Sequence, residues 1–175
     1  RAWFLDAGVR LALTTHVFVS STGFRRSETD VNRRINEDKL VNGVRVVQST
    51  FPTYASRLDG TSHGLDVVIE RRTDRGPTGW LGYTWAHTRH HDTVTNEAFD
   101  GDFDQRHTLN AFVQQRLSYR LKVSAKFRYG SNFPIVGYFS GSNDDLHLGS
   151  VRNAVRLPQY GRLDLSGSRT FTFTR

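Results

Sequence analysis

The sequence contains no cysteine and no methionine. Without cysteine, the chain has no disulfide framework, no thiolate metal site and no cysteine nucleophile. The absence of thiols also suits an oxidising compartment. A chain without methionine is expected to be either a processed protein or a fragment of a longer one.

Long hydrophobic runs are missing as well. The longest stretch of apolar residues is 2–5, far short of the roughly 20 residues that a transmembrane helix needs, and no signal-peptide pattern opens the chain. Only 37% of the residues are apolar, 23% are charged, and the mean hydropathy is −0.53. These values are typical of soluble proteins. The strands of membrane barrels, however, place apolar residues at alternate positions and give only a weak hydropathy signal.

Positive charge is in excess, with a net charge of +7 that comes mostly from arginine. Such a balance is typical of nucleic-acid-binding proteins. Here the arginines are dispersed along the chain, and neither a recognition-helix pattern nor a zinc-ligand spacing accompanies them. We therefore expect no nucleic-acid partner.

Alternation of apolar and polar residues is the main structural signal. In 121–129 every second residue is apolar, and the residues between are Lys, Ser, Lys and Arg. Because side chains alternate along a strand, this segment has one apolar and one basic face. The same alternation marks 65–70, 81–86, 108–114 and 162–173. It also marks 9–20, where Thr15 and Phe18 interrupt it, and one strand is predicted over 3–20. No segment of comparable length has helical spacing, so the predicted fold class is all-β.

The segments between these strands alternate in length. Residues 73–77 and 116–119 form short turns, whereas 22–42, 90–105 and 131–159 are long and polar and are predicted to be loops. The stretch 43–61 has no clear pattern and is expected to begin a strand that continues to residue 72. All short connections then lie at one end of the strands and all long ones at the other. This arrangement is typical of outer-membrane barrels, whereas long structureless loops are uncommon in compact domains.

Aromatic residues concentrate near the predicted strand ends. Near the short turns these are Trp80, Tyr119, Phe171 and Phe173, and near the long connections Tyr129 and Tyr160. The interfacial aromatic girdles of membrane barrels predict this placement. The general preference of aromatic residues for strands predicts it too.

Several segments, in order along the chain, resemble TonB-dependent receptors. GTSHGLDVVIERR at 60–72, followed by GWLGYTW at 79–85, resembles a pair of strands of that family. FDQRHTLN at 103–110 resembles its Asp-x-Arg-His entry to the next strand. RYGSNFP at 128–134 resembles its Tyr-x-Ser-Gly-x-Pro exit into a large external loop, with Asn132 where glycine is usual. LPQYGRLDL at 157–165 resembles the start of a late strand. Together the segments cover about residues 60–173.

The resemblance implies an antiparallel up-and-down transmembrane β-barrel in the cell outer membrane. It also implies uptake of a nutrient such as a ferric siderophore, cobalamin or an oligosaccharide. The implied partners are outer-membrane lipid, the remainder of the barrel with its plug domain, and a TonB-type energy-coupling protein that acts through the plug. Transporters of this kind close with about 22 strands, whereas this sequence has about seven or eight strands and no counterpart of the plug or of the terminal aromatic strand. We therefore expect residues 1–175 to form a single partial-barrel segment.

Two other interpretations stay open. One is a small self-closed outer-membrane barrel of about eight strands with an adhesive or structural role. The other is a soluble all-β binding module. The position of the apolar strand faces separates the soluble module from both barrels, since a sandwich buries those faces and a barrel turns them to lipid.

Four basic side chains are the candidate ligand-binding residues, placed in the lumen or in a loop: Arg106, Lys122, Lys126 and Arg128. A basic wall raises the local concentration of an anionic ligand and speeds its encounter. The alternative is that these residues only pair with carboxylates such as Asp66 and Glu70 and keep the protein soluble.

Signals for catalysis or metal binding are weak. A histidine group beside Asp92 has a spacing that suggests a metal site, but we expect these residues in a solvated loop: His87, His90, His91 and His107. A solvated loop is also expected for Asp100, Asp102 and Asp104. Residues 143–145 (Asn-Asp-Asp) lack the spacing of a calcium loop. No G-x-S-x-G or comparable motif orders a nucleophile, so we predict no enzymatic activity, no cofactor and no metal.

Overall fold

The computed structural model describes residues 1–46, 51–142 and 144–171. This part of the chain is all-β and contains no helix. Its strands are β1 (Ala2–Ala12), β2 (Val17–Arg34), β3 (Lys39–Val41), β4 (Val44–Val46), β5 (Tyr54–Arg71), β6 (Thr78–Asp92), β7 (Ala98–Asp100), β8 (His107–Arg116), β9 (Leu121–Gly130), β10 (Tyr138–Ser142), β11 (Asp145–Arg152) and β12 (Tyr160–Arg169). The prediction of an all-β fold is confirmed.

One large antiparallel sheet organises the chain. Its strands follow the order β1-β2-β5-β6-β8-β9-β12, and β7 adds to β6. The hairpins β3-β4 and β10-β11 form two separate small sheets. Among the described residues β1 pairs only with β2 and β12 only with β9, so the large sheet is open at both edges.

Short and long connections lie at opposite ends of this sheet, as predicted. Residues 13–16, 72–77 and 117–120 join neighbouring strands at one end, where Ala12 pairs with Phe18 and Arg116 with Lys122. The connections 35–53, 93–106 and 131–159 lie at the other end. We call these the short-turn end and the long-connection end.

The prediction of one strand over 3–20 is wrong, because a tight turn divides it. The Thr14 hydroxyl accepts hydrogen bonds from the backbone amides of His16 and Val17, at 3.2 and 3.0 Å. A threonine side chain that bonds the backbone two or three residues ahead stabilises a turn. The interruptions of the alternation at Thr15 and Phe18 mark this turn in the sequence.

Residues 22–34 are a strand and not the predicted loop, since β2 continues to Arg34. A bulge hides this strand in the sequence. The pairing with β5 shifts between Glu28 and Val31 and again before Asn32, and Asp30 has a φ of 60°. A bulge inserts an extra residue and breaks the alternation. The predicted strand from 43–61 to 72 is present from Tyr54 onward, and its residues 47–50 lie outside the described part.

The other predicted loops also contain strands. β6 extends to Asp92 and pairs with β7 inside the predicted loop 90–105, and 131–159 contains the hairpin β10-β11. β2, β5 and β6 have 18, 18 and 15 residues, against 10 in each of β8, β9 and β12. The longer strands therefore project at the long-connection end.

The two faces of the large sheet differ in chemistry along its whole width. One row of paired residues crosses all seven main strands on the face that we call apolar: Leu11, Val19, Ile69, Leu81, Ala111, Phe127 and Leu163. The neighbouring row on the opposite, polar face is Arg10, Ser20, Val68, Gly82, Asn110, Arg128 and Arg162. Five members of the apolar row are exposed to solvent: Leu11, Ile69, Leu81, Phe127 and Leu163.

The buried apolar residues lie elsewhere. Among the described residues these are Leu58, Phe99 and Tyr138, all at the long-connection end. The chain therefore has a small core beside its long connections and an uncovered apolar sheet face. No described helix is long and apolar enough to cross a membrane.

The aromatic residues near the strand ends divide between the two faces. Trp80 pairs with Glu70 and Phe112 on the polar face, and Tyr160 pairs with Gly130 on that face as well. An aromatic girdle would contact lipid from the apolar face, so these two residues do not contribute to one. Phe173 lies outside the described residues.

Candidate functional site

Three of the four predicted binding residues lie together on the polar face. Lys122, Lys126 and Arg128 occupy alternate positions of β9 and therefore point to the same side of the sheet. Lys126 stands between Phe112 of β8 and Asp164 of β12. Within the described part of the chain, none of the three cations forms a hydrogen bond or an ion pair. This strand therefore gives the polar face a stripe of uncompensated positive charge.

The alternative of pairing with Asp66 and Glu70 is not observed. Asp66 accepts a hydrogen bond of 2.5 Å from the Thr84 hydroxyl. Glu70 binds Arg72 at 2.7 Å and Arg10 at 3.4 Å. Because both carboxylates have other partners, the β9 cations stay available to an outside anion.

Arg106, the fourth predicted residue, belongs to a different site. It lies in the connection before β8, where its Nη2 is 2.9 Å from Asp100 and its Nε is 3.1 Å from Asp104. Two carboxylates thus neutralise its charge. The structure does not bring Arg106 together with the cations of β9, so the four candidates divide between a connection and the polar face of the sheet.

His87, Asp100 and Asp104 are the one group in the described residues that has metal-ligand geometry, with ligand atoms within 4.8 Å of one another. Arg156 donates to both carboxylates at 2.7 Å, and Arg106 contacts both as well. Two guanidinium groups compensate the acidic charge and would repel a metal cation, so the group is an ion-pair network. Burial raises the pKa of Asp100, but hydrogen bonds from His87 and Arg156 outweigh it and leave that pKa below its ordinary value.

The expectation of solvated acidic and histidine loops is wrong. Asp104 is only 2% exposed, and its Oδ1 accepts a 2.8 Å hydrogen bond from the amide of Thr88. Three histidines lie on β6 and His107 begins β8. Their polar partners differ: Asp100 for His87, Glu28 for His90, Asn96 for His91 and Tyr83 for His107. The four histidines therefore form no common site.

The acidic stretch at 143–145 also shows no metal geometry in its described part. Asp144 and Asp145 are exposed, and Asp145 begins β11. Asn143 lies outside the described residues. The sequence expectation of no calcium loop here stays a prediction.

A buried ion-pair cluster centres on Arg33 of β2. Its guanidinium contacts Asp92 at 2.6 Å and Glu97 at 2.8 Å, and it donates to the Tyr138 hydroxyl at 2.5 Å. Arg57 adds a second contact of 2.6 Å to Asp92. These residues come from β2, β5, the end of β6, the connection between β6 and β7, and β10. The cluster therefore joins the projecting strands to the connection 131–159.

Asp92 carries the charge at the centre of this cluster and is fully buried. Burial opposes its ionisation, but hydrogen bonds from the amides of Thr95 and Val94 and from Arg57 and Arg33 outweigh that effect. The pKa of Asp92 is therefore held well below its ordinary value. The pKa of Tyr138 is raised, first by burial and then by its hydrogen bond to Glu97. At neutral pH the carboxylate is charged and the phenol is neutral.

A second buried cluster centres on Arg152 of β11. Arg152 binds Glu37 at 2.9 Å and Asp102 at 2.5 Å, and Asn153 donates to Asp102 at 2.8 Å. The guanidinium carbons of Arg152 and Arg33 lie 4.7 and 4.9 Å from the centre of the Phe99 ring. Phe99 therefore packs against both clusters, and its ring stabilises both cations through cation–π contacts.

Between these clusters and the polar face lies a cavity of about 640 Å³. Its walls include Glu28 and His90 from the sheet, and Arg33 and Arg152 from the clusters, with the exposed ring of Phe103 at its rim. The Nε of Arg33 is buried and has no hydrogen-bond partner among the described residues. A buried donor without a partner is costly, so the guanidinium of Arg33 is not fully satisfied by its described neighbours. The size of the cavity is that of a small-molecule site.

No sequence pattern predicted these two clusters. The partners of Arg33 lie 59, 64 and 105 residues away, and Arg152 lies 115 residues from Glu37. Comparisons of the chain with protein-family models, with curated proteins and with solved structures find no match. The resemblance to TonB-dependent receptors therefore stays a prediction that rests on the sequence segments.

Proposed function

We propose that this chain forms part of the wall of an outer-membrane β-barrel of the TonB-dependent receptor type, which takes up a nutrient without chemical conversion. The observation that carries the proposal is the unbroken apolar row across seven strands, five of whose members are exposed. Burying a side chain such as Leu11 or Leu163 in an apolar phase contributes about 1.5–3 kcal/mol. The hydrocarbon of a bilayer supplies that phase over the whole width of the sheet.

Strand lengths and connections support the same proposal. β1 has 11 residues, and β8, β9 and β12 have 10 each, close to the roughly 9–11 that a tilted strand needs to cross a bilayer. Outer-membrane barrels combine short periplasmic turns with long extracellular loops. We therefore assign the short-turn end to the periplasm and the long-connection end to the cell exterior.

The open edges favour an arc of a larger barrel over a small self-closed one. A self-closed barrel of about eight strands requires ladder hydrogen bonds between its first and last strands, and β1 and β12 share none. Unpaired backbone groups are not tolerated in hydrocarbon. Further strands of the same receptor, with its plug and its TonB-type energy-coupling partner, would complete the assembly.

A soluble binding module is the less favoured candidate. In a soluble sandwich a second layer covers the apolar face of a sheet. In this structure β3 packs against the β10-β11 hairpin and β11 packs against β7, all at the long-connection end. The buried apolar residues of the described chain lie there too, so these elements do not cover the apolar face.

In this proposal the cavity and the polar face have different roles in uptake. The clusters hold the long connections in one arrangement around the 640 Å³ cavity, so a ligand from outside meets preformed walls. The uncompensated cations Lys122, Lys126 and Arg128 then line its route and attract a ligand with negative charge. This division assigns no covalent step and no cofactor to the chain.

The absence of cysteine allows a direct test with single spin labels. Asn110 and Ala111 are neighbours on β8 and point to opposite faces, so Asn110→Cys is the matched control for Ala111→Cys. In the folded receptor in lipid vesicles, we expect a label at 111 to be accessible to oxygen dissolved in the bilayer. A label at 110 should be accessible to a water-soluble nickel chelate.

Equal exposure of both labels to the nickel chelate would overturn the proposal, because the apolar face would then lie in water. A label at 111 that neither reagent reaches would show a protein cover and would select the soluble module. In plain buffer without detergent we further expect aggregation, and a monomeric, cooperatively melting protein would contradict the proposal as well.

A further inference from the structure

Several unpaired cations and few carboxylates lie at the short-turn end of the sheet. Six basic side chains there form no ion pair with a described carboxylate: Arg71, Arg75, Arg116, Arg120, Lys122 and Arg169. Five of them are exposed, and Lys122 is half-buried. Two carboxylates lie among the residues at this end, which are 10–19, 69–80, 113–123 and 168–171. They are Asp74 and Glu70, and Glu70 already forms ion pairs with Arg72 and Arg10. This end therefore carries a strong local excess of positive charge.

The long-connection end is built differently. Its buried and half-buried arginines are compensated, among them Arg33, Arg57 and Arg152, each bonded to a carboxylate at 2.9 Å or less. The six cations of the short-turn end, by contrast, have no carboxylate partner among the described residues. Their charge is therefore available to an external anion.

Exposed aromatic rings accompany these cations. The Arg120 guanidinium lies 4.8 Å from the centre of the Tyr119 ring, and that of Arg169 lies 5.0 Å from the centre of the Phe171 ring. Tyr119 is 80% and Phe171 61% exposed. Both pairs stand where the apolar face ends. Aromatic rings and long cationic side chains are favoured at the boundary between hydrocarbon and headgroups, because each has an apolar body and a polar tip.

We propose that the short-turn end binds anionic phospholipid headgroups of the leaflet that surrounds it. The inference rests on the proposed membrane function. The cations are spread over four strand ends and two turns and do not converge on a pocket, which suits many separate lipid phosphates. They also adjoin the face assigned to lipid. A basic residue close to an anionic leaflet strengthens association by about fivefold, and salt weakens it.

The test measures lipid selectivity of the full receptor inserted in phosphatidylcholine vesicles. Spin-labelled phosphatidylglycerol and spin-labelled phosphatidylcholine serve as probes, and the motionally restricted fraction of each is read by electron spin resonance. We expect phosphatidylglycerol to be favoured about threefold or more at low salt, and less at high salt. The triple variant Arg75→Gln/Arg120→Gln/Arg169→Gln should lose most of this preference. Its three side chains are exposed and unpaired, so folding should be unaffected.

A matched triple variant, Arg45→Gln/Arg128→Gln/Arg162→Gln, removes the same charge from exposed positions that lie away from both the short-turn end and the apolar face, and it should keep the preference. Equal association of both lipids, or equal loss in both variants, would overturn the inference while the membrane function stands. A complete lack of restricted lipid would instead overturn the proposed function, so the two failures are distinguishable.

Discussion

The fully buried carboxylate of Asp92 should control the order of the long connections, and Asp92→Asn tests this. Its Oδ1 accepts hydrogen bonds of 2.9 Å from the amides of Val94 and Thr95. Its Oδ2 accepts hydrogen bonds of 2.6 Å from Arg33 and Arg57. Asparagine has the same shape and can keep the amide contacts through its oxygen. Its NH₂ group, however, then faces two guanidinium donors that have lost their negative partner.

The expected loss follows from burial. Removing one partner of a buried ion pair costs about 3–5 kcal/mol, because the remaining charge is left uncompensated. Arg33 keeps its contact to Glu97, so we expect the lower end, about 3 kcal/mol. That free energy corresponds to a decrease of about 100-fold in hydrogen-exchange protection. Exchange measured by mass spectrometry in detergent should show the decrease in residues 88–104 but not in β8 and β9, since the cluster opens as a local unit.

Asp164→Asn is the matched control, because it removes the same charge from the exposed pair with Arg162. Exposed pairs contribute little to stability, so residues 88–104 should keep their protection. The reasoning would be refuted if Asp92→Asn changed that protection by less than about twofold. It would also fail if every strand lost protection equally, because the cluster would then not be a local unit.

Two further predictions concern the sheet faces and the pH response. Phe127→Arg should impair assembly in lipid by about 2–4 kcal/mol if the residue lies near the midplane. Lys126→Ser should leave folding intact and slow the uptake of an anionic ligand. Folding in detergent and ligand uptake are measured for both variants. If Lys126→Ser blocked folding and Phe127→Arg did not, the assignment of the two sheet faces would be inverted. The near-ultraviolet circular dichroism of the long connections should be constant above about pH 5 and change below about pH 4. Asp92, Asp100 and Asp102 have lowered pKa values in the folded chain. The stability that they contribute is therefore present above the ordinary aspartate pKa of about 3.9 and is lost as the pH falls. A transition between pH 5 and 7 would instead show that histidine is responsible.

The regular strands could be predicted from the sequence because their signal is local. Alternation located β8, β9 and β12, and polar segments between apolar ones located the turns at 72–77 and 117–120. The failures have local causes too. The Thr14 turn joins two strands of similar pattern, so alternation alone predicted one strand over 3–20. The bulge at Asp30 shifts the alternation of β2, so the second half of that strand was predicted to be a loop.

The buried clusters could not be predicted, because no local pattern encodes them. Arg33 and Asp92 are polar residues in polar segments, where a sequence pattern indicates a solvated loop. They become buried only when β2 and β6 project together past the end of β8, a consequence of unequal strand lengths. By contrast, the alternation along β9 fixed the common face of Lys122, Lys126 and Arg128, so that part of the site was accessible to sequence reasoning.

Different interactions stabilise the two ends of the molecule, so the two ends should lose their structure under different conditions. The long-connection end is held by buried ion pairs around Arg33 and Arg152, together with the Phe99 ring, and these depend on ionised carboxylates. The rest of the sheet exposes its apolar row, so packing within the described chain contributes little there. In the proposed membrane function the surrounding lipid contributes that stability instead. Acid should thus loosen the long connections while a lipid-embedded sheet persists. Removal of lipid should disrupt the sheet at neutral pH, where every ion pair is intact.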